Sequence, residues 1–259
     1  MYWVSTQHTP VAADELANFE HTYGITLPTP YASFLTQYGP GTYCGLLVIE
    51  PPDPQLLQSY ADYELWTHDD DNCPITAQQL GECVVIGSSI DGDFLAVHPQ
   101  VEGLLWLPRH SEVITMKPLD VQTPFTDTLE HILRDEFRKI EPFPRYFEPV
   151  SLDRTATFLL FNPPDTAEAY DPANPNDPIP NIAPASIQVL AQRFKQHFDT
   201  NLWIENEHTC MAFFQLLGGY VRFNYAYGRE VAIIYEPKAI ALHDEILSFL
   251  QKEHCRVVE

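Results

Sequence analysis

Apolar residues at helical spacing open the chain twice. Leu16, Phe19 and Tyr23 recur three and four positions apart, and Tyr31, Phe34, Leu35 and Tyr38 repeat the pattern. A Thr-Pro pair precedes each run and a glycine follows it: Thr9-Pro10 and Gly24 around the first, Thr29-Pro30 and Gly39 around the second. A threonine hydroxyl caps a helix start, a first-turn proline forfeits no hydrogen bond, and a glycine takes the left-handed conformation past the last turn. The pattern therefore predicts two short helices over 9–24 and 29–39, with Ile25 and Leu27 of the connection as core plugs. A strand at 46–50 and a third short helix from Asp53-Pro54 through Leu56, Leu57 and Tyr60 follow. Short β runs then predict strands at 83–87, 93–98, 104–107 and 112–116, with turns at 88–92 and 99–103.

The strongest single helix signal spans 125–140. Phe125, Leu129, Ile132, Leu133 and Phe137 form one stripe, and Thr126 or Asp127 can cap it. Prolines at 142, 144 and 149 then mark a boundary, which divides the chain into domains over 1–148 and 149–259. The second half predicts a strand at 155–161 and an extended loop at 162–184, where seven prolines stand. A helix at 185–198 points Ile187, Leu190, Ala191 and Phe194 inward. Strands at 210–217, 220–227 and 230–235 follow, turned by Gly218-Gly219 and Gly228-Arg229. A helix at 238–251 and a strand at 256–258 close the chain. The fold class is α+β: helices on a mainly antiparallel meander sheet, then a smaller sandwich whose two helices cover one face of a second antiparallel sheet.

The ordered series in the first half carries a family resemblance. Gly24-Ile25-Thr26-Leu27-Pro28, Tyr31 with Phe34-Leu35, and Tyr38-Gly39-Pro40-Gly41 resemble the N-terminal signature of the SUKH superfamily. Ile86-Gly87, Asp91-Gly92-Asp93 and residues 101–106 resemble its strand-hairpin-strand part. The resemblance covers roughly residues 10–140. It departs at Gly39-Pro40-Gly41, where many members carry Asn-Gly. It implies a non-enzymatic binding protein of one of two kinds: a bacterial immunity protein that neutralises a secreted toxin, or a regulatory scaffold like the fungal regulators of cell-wall glucan synthesis. The C-terminal part resembles no family.

Charge changes this picture most. The first 108 residues hold 14 Asp and Glu and no Lys or Arg. Residues 1–150 carry 22 acids against 6 bases, a balance of −16, and residues 151–259 carry 14 against 8, or −6. Such a field repels nucleic acid and anionic membrane, and attracts a basic partner. A toxin nuclease, whose cleft must hold phosphates, fits that description. The hydrophobic fraction of 45% supports a buried core. No basic stretch followed by an apolar run opens the chain, and the apolar run at 211–221 is too short to span a bilayer. Five cysteines without metal-type spacing read as free thiols in a reducing compartment. Together these predict a soluble cytoplasmic protein, and leave homo-oligomerisation through the second domain open.

Candidate chemistry was sought among His68, Asp69, Asp70, Asp71, Asp91 and Asp93. Three consecutive aspartates cannot all face one ion in an ordinary loop, and neither calcium-loop nor His-Glu-x-x-His spacing occurs. Ser88-Ser89 lacks a nucleophile elbow, and no phosphate or dinucleotide loop is present. The sequence thus predicts no catalytic residue, metal or cofactor. Trp66, Asp69, Asp70, Asp71, Asp91 and Asp93 are the expected partner contacts, with Trp66 an exposed aromatic anchor beside an acidic loop. Asp91-Gly92-Asp93 also reads as a tight turn.

Overall fold

A computed structural model describes residues 1–60, 63, 65–68, 73–139, 143–151, 153–162 and 184–258. The fold is α+β, with two compact units: Met1 with His8–Val150, and Ser151–Glu259 with Tyr2–Gln7. The first strand, β1 (Tyr2–Trp3), belongs to the N-terminal segment of the second unit.

In the first unit, α1 (Ala13–Tyr23) and α2 (Thr29–Tyr38) realise the two helical runs. Gly24 ends α1 with φ 65°, and its N–H bonds to the Glu20 carbonyl. Ile25 and Leu27 are buried as expected, and the Glu20 carboxylate accepts the Leu27 N–H at 2.7 Å. The expected Thr-Pro caps are corrected. Thr9-Pro10 lies outside α1, because Val11 N–H bonds to the Leu35 carbonyl at 3.0 Å and the Thr9 carbonyl abuts Gly39, where a Cβ would collide. Thr29 is itself helical, and Pro28 stands at the cap position without a side-chain bond.

The strands β2 (Gly41–Tyr43), β3 (Leu47–Asp53), β4 (Val84–Ser89), β5 (Phe94–His98), β6 (Val101–Leu107), β7 (Thr115–Lys117) and β8 (Tyr146–Pro149) pair antiparallel in the order β8-β2-β3-β4-β5-β6-β7. The β3–β4 register shifts between Ile49 and Asp53, where Pro51 and Pro52 have no N–H to give a ladder. The expected third helix is a 3₁₀ turn (Leu56–Tyr60), with Asp53 Oδ1 accepting the Gln55 and Leu56 N–H groups. A helix of one turn, α3 (Ala77–Leu80), starts at a Thr76–Gln79 capping box. The helix expected over 125–140 is α4 (Phe125–Asp135). Its cap is Pro124 rather than Thr126 or Asp127, and it stops as Arg138 turns to φ 50°.

Phe125, Leu129, Ile132 and Leu133 of α4 are buried. Edge-on ring contacts join Phe34 to Phe125 and Phe147 at 5.8 and 5.2 Å. A second cluster collects Leu57, Trp66, Ile75, Leu80, Cys83, Val85, Ala96, Leu105, Leu107 and Ile114.

The second unit is a two-layer sandwich. Its antiparallel sheet runs β10 (Leu202–Glu205), β11 (Thr209–Phe214), β12 (Gly219–Asn224), β13 (Glu230–Tyr235), β9 (Thr155–Phe161), β14 (Cys255–Val257). Helices α5 (Pro184–His197) and α6 (Ile240–Lys252) supply Ile187, Leu190, Ala191, Phe194, Ile246 and Leu250 to the core against it. This matches the layering expected from the alternating strands, with β10 added. The proline-rich loop expected at 162–184 lies, except at its ends, outside the described residues.

Candidate functional site

The expected contact residues divide once folded. Trp66 is corrected: it is 5% exposed, its indole fills the cluster over β4–β6, and Nε1–H donates to the Pro108 carbonyl at 2.8 Å. With its polar atom satisfied, nothing holds the ring at the surface. Asp93 is also inward. Its Oδ2 accepts the Ser89 hydroxyl at 2.5 Å and its Oδ1 the Arg109 N–H at 2.8 Å. Ser89 Oγ accepts the Asp91 and Asp93 N–H groups at 3.1 Å each. Gly92, at φ 92°, completes the turn. Asp93 is thus a fastener of the β4–β5 turn and not a displayed charge, whereas Asp91 is exposed. Asp69, Asp70 and Asp71 lie outside the described residues. Of the aromatics Tyr38, Tyr43, Tyr60, Tyr63 and Trp66, only Tyr63 is strongly exposed, at 65%.

Charge at the surface of this unit is more one-sided than the count suggests. Lys117 is buried and ion-paired with Glu136, and Arg145 Nε pairs with Glu130 at 2.8 Å. The first base of the chain, Arg109, lies along Gly92. Arg134, Arg138 and Lys139 gather at the C-terminal end of α4, where they suit the helix dipole. Against these stand the exposed carboxylates of Asp14, Glu15, Asp53, Glu82, Asp91, Glu102, Glu112, Asp120 and Asp127. Glu82 also accepts from the buried His98: Gln100 N–H donates to His98 Nδ1 at 3.1 Å, which leaves Nε2, 3.4 Å from Glu82, to carry the proton.

Groups that carry chemistry are otherwise engaged in the fold. Among the described residues no three His, Cys, Asp or Glu side chains gather as a metal set would. Burial pushes the Cys44 thiol up to about 11 and those of Cys83, Cys210 and Cys255 to about 12, so all four are protonated and unreactive at neutral pH. Cys73 Sγ lies 3.8 Å from His68 Nδ1. In the second unit Thr157 Oγ1, His243 and Asp244 form a chain of 2.9 Å contacts. The order hydroxyl, imidazole, carboxylate resembles a hydrolytic triad. Yet His243 is buried and stacked on Tyr235 at 4.1 Å, so the chain ties α6 to β9.

Sequence reasoning missed Ser89 and Arg109 as partners of the turn. Serine four residues before Asp93 was the available signal, while Arg109 arrives only through strand pairing. Compared with protein-family models, curated proteins and solved structures, the chain matches none. Among the described residues no helix is long and apolar enough to cross a membrane.

Proposed function

We propose that the chain is a SUKH-type immunity protein that binds a basic, nuclease-type toxin through the acidic surface of its first unit and catalyses nothing itself. One observation carries the reading: 108 consecutive residues contain 14 acids and no base, in a unit whose Lys117 is withdrawn from the surface. A cleft built to hold phosphates is positive, so this surface complements it and repels the nucleic acid that competes for the same site. Attraction between such surfaces raises association toward ~10⁹ M⁻¹s⁻¹ at low salt and fades beyond a Debye length of about 8 Å at physiological salt. Asp69, Asp70, Asp71 and Asp91 remain the proposed contacts, joined by Glu82 and Glu102, while the buried Trp66 and Asp93 serve the fold and are not contacts.

The test reverses Asp69, Asp70, Asp71 and Asp91 to lysine together and compares capture of the toxin with that by the unaltered chain. Loss of capture with an unchanged melting curve supports the surface; full capture removes it. A set of housekeeping proteins in place of one toxin moves the reading to the regulatory scaffold.

A further inference from the structure

We infer that the first unit also holds a binding site for a neutral saccharide, in a groove between α2 and the segment that enters α4. The cavity is ≈ 370 Å³ and is lined by Thr29, Pro30, Ser33, Phe34, Gln37 and Tyr38 on one side and residues 121–126 on the other. No lining residue is charged, in a unit that carries 22 acids and 6 bases over residues 1–150. An ionic ligand therefore finds no counter-charge in the groove, and an anion is repelled by its surroundings.

The lining has two textures. Pro30, Phe34 and Phe125 are buried and form the floor, with Phe34 and Tyr38 in edge contact at 5.0 Å. Thr29, Ser33 and Gln37 stand above it on successive turns of α2, four residues apart, and are exposed. Gln122 and Thr126 answer them from the facing wall. Among the described residues, the hydroxyls of Thr29, Ser33 and Thr126 and the carboxamides of Gln37 and Gln122 make no hydrogen bond within the protein. Each of these groups both donates and accepts. Above a floor of ring and prolyl carbon, they match a ligand whose edge is a row of hydroxyls and whose face is C–H: a sugar ring. The volume lies near the lower end of small-molecule sites, the size of one or two such rings. None of the residues named as toxin contacts is among the described residues lining the groove, and this inference stands or falls apart from the toxin reading.

The experiment is an amide chemical-shift titration of the full chain with glucose, maltose, cellobiose and N,N′-diacetylchitobiose at millimolar concentration. At least one of these gives saturable shifts confined to residues 29–38 and 121–126. Gln37→Ala with Gln122→Ala, both exposed, leaves the spectrum folded and weakens that binding at least about tenfold, or ~1.4 kcal/mol. No saturable shift in the groove with any of the four, or shifts the double variant leaves unaltered, overturns the inference. An uncharged proline-rich peptide that alone fills the groove overturns it too, by assigning the groove to a protein segment.

Discussion

The two units differ in how far their carboxylates outnumber their bases. In the second, acids are fasteners. Glu236, 1% exposed, accepts the Ser5 hydroxyl and pairs with Lys238, and so pins the N-terminal segment. Glu205 gathers Trp203, Tyr225 and Gln192 across two strands and a helix, and Glu253 holds Arg193 at 2.8 Å. Glu230 and Asp244 likewise bond Asn224 and His243 at 2.9 Å, so five of the 14 acids over 151–259 have work inside the fold among the described residues. The first unit fastens with carboxylates too, Glu20, Asp53, Asp93, Glu130 and Glu136 among them, but it carries 22 acids against 6 bases over residues 1–150. The surplus, Glu102 and Asp91 among it, stays at the surface. Self-repulsion of that surplus opposes the compact state, a cost that the proposed basic partner offsets on binding.

The comparison breaks first at the cores. Phe194→Ala in the second unit removes a ring in contact with Phe198, Phe214, Phe223 and Phe249, and should cost about 3–5 kcal/mol in denaturant unfolding. Trp66→Ala should cost the same, about 3–5 kcal/mol, because its indole is equally enclosed. A cost near zero for Trp66→Ala would restore it as a surface anchor.

The next contrast lies within one turn. Asp93→Ala strands the Ser89 hydroxyl and Arg109 N–H and should cost about 1–3 kcal/mol in thermal or chemical melts. Asp91→Ala, at an exposed position, should stay within about 0.5 kcal/mol. Equal costs for the two aspartates would contradict the division between fastener and displayed charge. Below the Asp93 cost, though above that of Asp91, comes Gly24→Ala in the same melts, where an added Cβ meets nothing within 4 Å. The cost there is the left-handed backbone alone, about 1–2 kcal/mol at most.

Smallest is a pH effect. Burial pushes the Glu205 carboxyl up, but hydrogen bonds from Trp203, Tyr225 and Gln192 outweigh it and hold the group below its usual value. A carboxyl with a depressed folded pKa stabilises above its unfolded value and loses that contribution as pH falls through the folded one. Glu205→Gln should therefore flatten the acid side of the stability profile, and a profile unchanged below pH 5 would rule the network out as a pH-linked fastener.

Legibility followed the length and regularity of each element. Strand 155–161 was readable to the residue because Thr, Phe and Leu crowd the run between Arg154 and Asn162, and the start of α4 because Phe125, Leu129, Ile132 and Leu133 repeat on one face, although that helix stops at Asp135 and not at the expected 140. The strands Gly41–Tyr43 and Tyr146–Pro149 hold too few residues for any period to show, and exist because each pairs with the other. The candidate site was less readable. Trp66 looked exposed because its sequence neighbours are acidic, but its burial depends on β5 and β6, some 30 to 40 residues away. The Thr29, Ser33, Gln37 stripe is visible in the sequence as spacing. It becomes a groove only when residues 121–126 are brought beside it.

The acidic first unit is proposed to bind a basic partner. The most direct test is capture on the full chain from native lysate at low salt, followed by a high-salt wash and identification of what each step releases. The account predicts one basic, toxin-like protein, released by salt and not retained by the four-lysine variant. Several cellular proteins, or a partner held regardless of salt, would contradict it.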